Sequence, residues 1–434
     1  MRESLKYLGA ALLAAAALAG CGGGASLSVN DGHVRLVNAA TGIASLDLYQ
    51  SSTLLSSVVA VNTAGSYVGL DAGTYTFNLS LGGSSATAAT LSGTVQKKDD
   101  YTIVAYTTGG TLTAAFLSDS EGSPSSGTAK LRLFNTDAAD VASVDAYLLT
   151  SACSGLAASP SAPVITAVTG LQASYTQVNA SSGGTAYHLC VTSAGDKSNL
   201  RLDIPALTLS QGQIVTVILT RSSGGVLLDG LVLNQQGSLT AAANGSSRVR
   251  LAVGATGGAL VTAIANGVSL GTNLPAPAVG GYVLVPSGPL TLTATVGGVA
   301  VADPGLTAVP GADLTLLVGG TAATPPVLIA DDNSASTSTA NAVKLRLVNG
   351  MGTSGPATLT DNFINVGSSA AFGRSSGYGQ VQASTALAQL QASVGATTLC
   401  QSANVTLTAG NVYSVFLLGN VPVSLVACNI TEDR

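Results

Sequence analysis

Tryptophan is absent from the 434 residues, and 12 Tyr with 6 Phe hold aromatics at 4% of the chain. A transmembrane β-barrel needs aromatic girdles at both membrane interfaces. Their scarcity argues against one, as does a terminal Thr431-Glu432-Asp433-Arg434 that offers no apolar closing strand. Charge is equally sparse: 16 Lys+Arg against 21 Asp+Glu make up 9% of the chain and leave a net charge of −5. That balance excludes the broad basic footprint of a nucleic-acid binder. Only two histidines, His33 and His188, are available for metal or acid–base chemistry, so no metal and no cofactor is implied. What is abundant is small and apolar, with 52 Gly, many Ser and Thr, and 46% hydrophobic residues. This is enough for several cores and excludes charge-driven disorder. Short strands joined by many turns, an all-β chain of two to four domains, is the class that fits.

The amino terminus reads as a signal peptide over residues 1–20. Arg2 and Lys6 form a basic start, and Leu8 to Ala19 is an apolar run too short to span a bilayer. The following Leu18-Ala19-Gly20-Cys21 resembles the bacterial lipobox. That resemblance implies acylation of Cys21, a lipidated tether over 21–29, and a membrane partner reached through the anchor. Gly22 rather than Asp follows the cysteine, which for a Gram-negative host implies the outer membrane of the cell envelope.

Four further cysteines, Cys153, Cys190, Cys400 and Cys428, fall in two clusters and suit disulfides in an oxidising compartment. Three connectivities are open. Nearest-neighbour pairing would close spans of 37 and 28 residues. A metal site is the weaker reading, because no Cys-x-x-Cys pair is present.

One strand is written four times: Val34-Arg35-Leu36-Val37-Asn38, Leu131-Arg132-Leu133-Phe134-Asn135, Val249-Arg250-Leu251-Ala252-Val253 and Leu345-Arg346-Leu347-Val348-Asn349. A tyrosine follows the arginine by 32 residues in three copies, at Tyr67, Tyr282 and Tyr378, and by 43 in the second, at Tyr175. Stretches rich in small and polar residues, Ser120 to Gly127, Gln236 to Ser246 and Asp332 to Asn341, read as linkers. A final hydrophobic strand is expected near Tyr101 to Tyr106, Gln213 to Leu219, Leu314 to Val318 and Asn411 to Leu418. The expected architecture is four tandem β-sandwich modules, immunoglobulin-like, at 30–119, 128–235, 247–331 and 342–434. The strand around Arg35, with Ala44-Ser45-Leu46-Asp47-Leu48-Tyr49 and Tyr67 to Tyr75, resembles the bacterial modules called domain of unknown function 4397. That resemblance implies a secreted or lipid-anchored location and no known reaction.

Chemistry is hard to find. Gly267-Val268-Ser269-Leu270-Gly271 matches a nucleophile elbow, but no histidine follows it, and Asn266-Gly267 reads better as a type I′ hairpin turn. His188 shares a strand face with Cys190 but is expected to be a plain strand residue, and His33 is expected at the surface. Asp99-Asp100 and Asp331-Asp332 read as solvated turns rather than a calcium site. Asp47, Asp145 and Asp361 follow Arg35, Arg132 and Arg346 by 12, 13 and 15 residues, a spacing that suggests structural ion pairs between neighbouring strands. The third copy, with Arg250, lacks such an aspartate. Each repeated tyrosine is expected to anchor its module rather than to stack on a sugar. The functional expectation is a non-enzymatic envelope lipoprotein whose modules act as spacer and binding or adhesion units for an envelope protein or polysaccharide. A carbohydrate-binding surface protein is the alternative, and a hydrolase with an unrecognised site the second alternative.

Overall fold

The computed structural model describes residues 31–138, 140–169, 173–335, 341–352, 355–383, 387–419 and 426–434. The signal sequence, Cys21 and the tether lie outside these residues. Apart from short 3-10 turns at Cys153–Ala158 and Thr256–Gly258, the regular structure described is β-strand. No helix among the described residues is long and apolar enough to cross a membrane.

Four sandwich modules follow one another, each built of a five-stranded and a four-stranded open sheet. In the first, the repeated strand Gly32–Asn38 runs parallel to Asp100–Thr108, with Val34 opposite Tyr101. The four-stranded sheet is made by Thr53–Ala60, Ser45–Gln50, Gly73–Leu81 and Thr87–Val95. Side chains alternate faces along a strand, so Val34 and Leu36 enter the module core with Leu46, Leu48, Phe77 and Leu79 from the facing sheet. The same parallel pairing recurs at Leu131 with Val215, Val249 with Leu314, and Leu345 with Tyr413.

Two expectations need correction. The hydrophobic strand expected to end each module is followed by one more, at Thr111–Ser118, Leu228–Asn234, Val327–Asp331 and Ala427–Glu432. The stretch Gln236 to Ser246 is also not all linker, since Leu239–Ala242 adds a fifth strand to its sheet.

The second face of the repeated strand is buried as well. Val37, Ala39, Val104, Tyr106 and Leu117 of the first module pack on Phe134, Ile218, Leu231 and Leu233 of the second. Ala252, Leu317 and Ile329 of the third pack on Val348, Phe416 and Leu418 of the fourth. Modules therefore sit back to back in two pairs. At the second seam a β-carbon on Gly254 would come within 2.7 Å of the Gly350 carbonyl, so this close approach of backbones requires glycine.

The first and third modules are entered and left at one end of the five-stranded sheet, whereas in the second Leu239–Ala242 runs back along Leu228–Asn234, with Ala242 opposite Gly230, and carries the chain to the opposite end. The His33 N–H donates to the Asp99 carbonyl at 2.9 Å, and the Asp119 N–H to the Asp100 carbonyl at 2.7 Å. The opposite end of the second module meets the entry end of the third, where Ser222 Oγ donates to the Gly311 carbonyl at 2.6 Å. Arg434 of the fourth module reaches Asp140 of the second at the same junction.

Candidate functional site

The repeated arginines point out of their own cores into the seams between paired modules, where they are nearly inaccessible: 3% for Arg35, 7% for Arg132, 2% for Arg250 and 1% for Arg346. A buried guanidinium must be paired and hydrogen-bonded. The parallel neighbour strand supplies the first partner, with Nε donating to Thr102, Thr216, Thr315 and Ser414 at 2.9, 2.8, 2.9 and 2.9 Å. The repeated tyrosine lies across the guanidinium, with ring centroids 4.5, 4.4, 4.6 and 4.8 Å away at Tyr67, Tyr175, Tyr282 and Tyr378. This stacking is favourable where water is excluded.

The acid that completes each cluster is not the one expected from spacing. Arg35 pairs with Asp119 at 3.2 Å, Arg346 with Asp331, and Arg250 with Asp433 and, at 3.5 Å, Asp331. Asp119 and Asp433 directly follow the last strand of their modules, and Asp331 ends the last strand of the third, beside the threonine or serine that each also binds. In the second module Gln235 occupies that place and bonds to Glu121 of the preceding linker. The partnerships also cross the seam. Arg35 donates to the Gly237 carbonyl of the second module at 2.6 Å, and Arg132 Nη2 lies 3.5 Å from the Ser118 carbonyl of the first.

Burial pushes the hydroxyl pKa of Tyr67 and Tyr282 up, and the carboxylates of Asp119 and Asp331 push in the same direction. Their hydroxyls donate to those acids at 2.5 and 2.6 Å. Burial lowers the pKa of Arg250, but its bonds to Asp433 and the surrounding negative charge prevail and raise it. Tyr67 and Tyr282 are thereby held protonated and Arg250 charged, as a structural joint requires. The tyrosines are half-buried with engaged hydroxyls, which suits anchors better than exposed platforms.

Asp47, Asp145 and Asp361 do something else. Asp47 accepts the backbone N–H groups of Val58 at 2.6 Å and Gly83 at 3.0 Å. Asp145 accepts those of Ala167 at 2.7 Å and Gly195 at 2.8 Å. Val58 and Ala167 have φ of 51° and 46°, and each sits where the strand register slips opposite the aspartate. The carboxylate thus fastens a β-bulge whose backbone is left-handed. In the third module Thr262 Oγ1 performs the same task for Asn273, at 2.9 Å and φ 51°. The fourth module slips opposite Thr358, three residues before Asp361. Asp361 has a buried Oδ1 without a hydrogen-bond partner among the described residues, and burial raises its pKa.

The cysteines pair as Cys153–Cys190 and Cys400–Cys428, with Cα separations of 5.6 and 5.8 Å. His33 is not a free surface residue, since its Nδ1 lies 2.6 Å from Asp100. Asp331 is buried in the seam rather than solvated, and Asp332 binds Lys344 at 2.7 Å. Asn266 and Gly267 both have positive φ and form the hairpin turn, which removes the elbow reading.

Those geometries belong to a unit that recurs, and its first copy has relatives. Residues 32–147 match DUF4397, a domain of unknown function. The DUF4397 match covers the first module and ends inside the strand Val144–Leu149 of the second. No curated protein matches the chain. Among solved structures the Bacillus anthracis TIE protein aligns at 10% identity over 67% of this chain with a TM-score of 0.15. The chain spans about half, 51%, of that protein's length. A family 26 carbohydrate-binding module from Eubacterium rectale Amy13K, solved with maltoheptaose, aligns at 10% identity over 47% of this chain and 96% of its own, with a TM-score of 0.16. Similarity this loose carries no argument about function.

Proposed function

We propose that the protein is a non-enzymatic cell-envelope lipoprotein, anchored through Cys21, whose paired sandwich modules act as a spacer and present loops for binding or adhesion to a protein or polysaccharide. The observation that carries this reading is the use made of the repeated polar residues. Arginine, tyrosine, threonine or serine, and aspartate are turned onto one another in the seams, so the chemistry that defines the repeat holds modules together. The four tyrosines are engaged in the same way, which disfavours them as sugar platforms.

Protease shaving of intact cells tests location, with Cys21→Ala as the control for anchoring. Release of the Cys21→Ala protein from the membrane fraction supports the anchor, and retention overturns it. Loss of the modules from intact cells supports adhesion at the outer surface. Protection until the outer membrane is permeabilised supports a periplasmic binding role.

A further inference from the structure

Among the described residues one group of side chains has the composition and proximity of a metal site. The ligand atoms of Cys153, His188 and Asp203 all lie within 4.8 Å of one another. Asp203 Oδ1 is 3.1 Å from Cys153 Sγ and 3.3 Å from His188 Nδ1. A fourth donor is beside them. Cys190 is bonded to Cys153, stands opposite Asp203 in the strand ladder, and is two residues from His188 on the same face of Thr185–Ser193. Leu189 and Val191, on the other face, fill the module core.

We propose that reduction of Cys153–Cys190 converts this corner of the second module into a binding site for one divalent metal ion of the zinc class, held by Cys153, Cys190, His188 and Asp203. The donor set of two thiolates, one imidazole and one carboxylate suits tetrahedral zinc. In the disulfide the two sulfurs are bonded to each other and carry no charge to offer. A dithiol reductant supplies two electrons, leaving as its own disulfide, and two protons go onto the separated sulfurs. Binding of the metal ion then displaces those two protons. With Zn–S bonds of about 2.3 Å, tetrahedral coordination places the sulfurs about 3.8 Å apart. Cys153 lies on the 3-10 turn Cys153–Ala158 rather than in a ladder, so its side chain can rotate without breaking strand pairing.

Access and environment agree with this assignment. The sulfurs are covered, with Cys153 at 3% and Cys190 at 0% exposure, while the His188 and Asp203 side chains keep 24% and 12% and form the entrance. The second disulfide provides an internal contrast, because the chain has only two histidines and neither belongs to the Cys400–Cys428 module.

Cobalt(II) titration of the mature chain carrying Cys21→Ala, with and without prior phosphine reduction, tests the proposal. The reduced protein is expected to take up one equivalent with thiolate-to-cobalt charge-transfer absorption, and the oxidised protein none. His188→Ala is expected to weaken uptake by about tenfold or more, whereas Cys400→Ser with Cys428→Ser is expected to leave it unchanged. Equal uptake by the oxidised protein, no uptake by the reduced one, or indifference to His188→Ala would each overturn it. So would loss of the β-sheet circular dichroism on reduction, which shows that the disulfide is needed for the fold itself.

Discussion

Arg250 and Asp433 are 183 residues apart in sequence and meet in the buried seam between the third and fourth modules. The exchange is reciprocal, since Arg346 of the fourth module closes on Asp331 of the third. Each module thus lends its terminal acid to the other's first strand, and the hydrophobic packing of Ala252, Leu317 and Ile329 on Val348, Phe416 and Leu418 surrounds the charges.

Removing one member leaves a buried charge unpaired. Asp433→Ala is expected to destabilise the third and fourth modules by about 3–5 kcal/mol, read as a lower urea midpoint. The double variant Arg250→Met with Asp433→Leu is expected to recover most of that loss. Equal midpoints for Asp433→Ala and the parent would show that the seam does not depend on the pair.

Asp145→Asn is expected to lower stability by about 1–3 kcal/mol, because one of the two N–H donors at Ala167 and Gly195 then faces an amide NH2. The cause is the bulge rather than an ion pair with Arg132. The companion change Val58→Gly is expected to stabilise by about 1 kcal/mol, since a β-branched residue at φ 51° is strained. Thermal melts of both variants decide the matter.

Tyr282→Phe keeps the ring over Arg250 but deletes the bonds to Asp331 at 2.6 Å and from Asn333 at 3.0 Å. A loss of about 1–2 kcal/mol is expected, with no change in retention on immobilised glycans. Lost retention in an otherwise stable protein would restore the sugar-platform reading.

Cys400→Ser with Cys428→Ser opens a span of 28 residues that ties the strand Thr397–Val405 of one sheet to Ala427–Glu432 of the other. The chain-entropy argument gives a loss of about 3–4 kcal/mol, measurable by denaturation with the first disulfide intact.

Composition, the fourfold strand and the clustered cysteines made the all-β modules legible, because strand alternation and turn residues are local properties. The ion pairs were not legible, for a physical reason. Spacing of 12 to 15 residues selects the adjacent strand, whereas a buried arginine is satisfied by whatever packs on its outer face, here the acid after the last strand of its own module for Arg35 and an acid of the neighbouring module for Arg250 and Arg346. A signal existed all the same: Asp119, Asp331 and Asp433 follow Arg35, Arg250 and Arg346 by 84, 81 and 87 residues. The bulge clamp was concealed differently, because Thr262 replaces the aspartate with a hydroxyl that accepts the same N–H.

The extra strand Leu239–Ala242, which carries the chain of the second module to the far end of its sheet, has a mechanical corollary. The first and third modules return the chain to its starting edge and set their successors alongside, whereas the second delivers it to the opposite end, so the second copy adds width and the third adds height. With strands of about eight residues rising roughly 3.3 Å each, a storey is about 26 Å tall. Four modules thus stand two storeys tall.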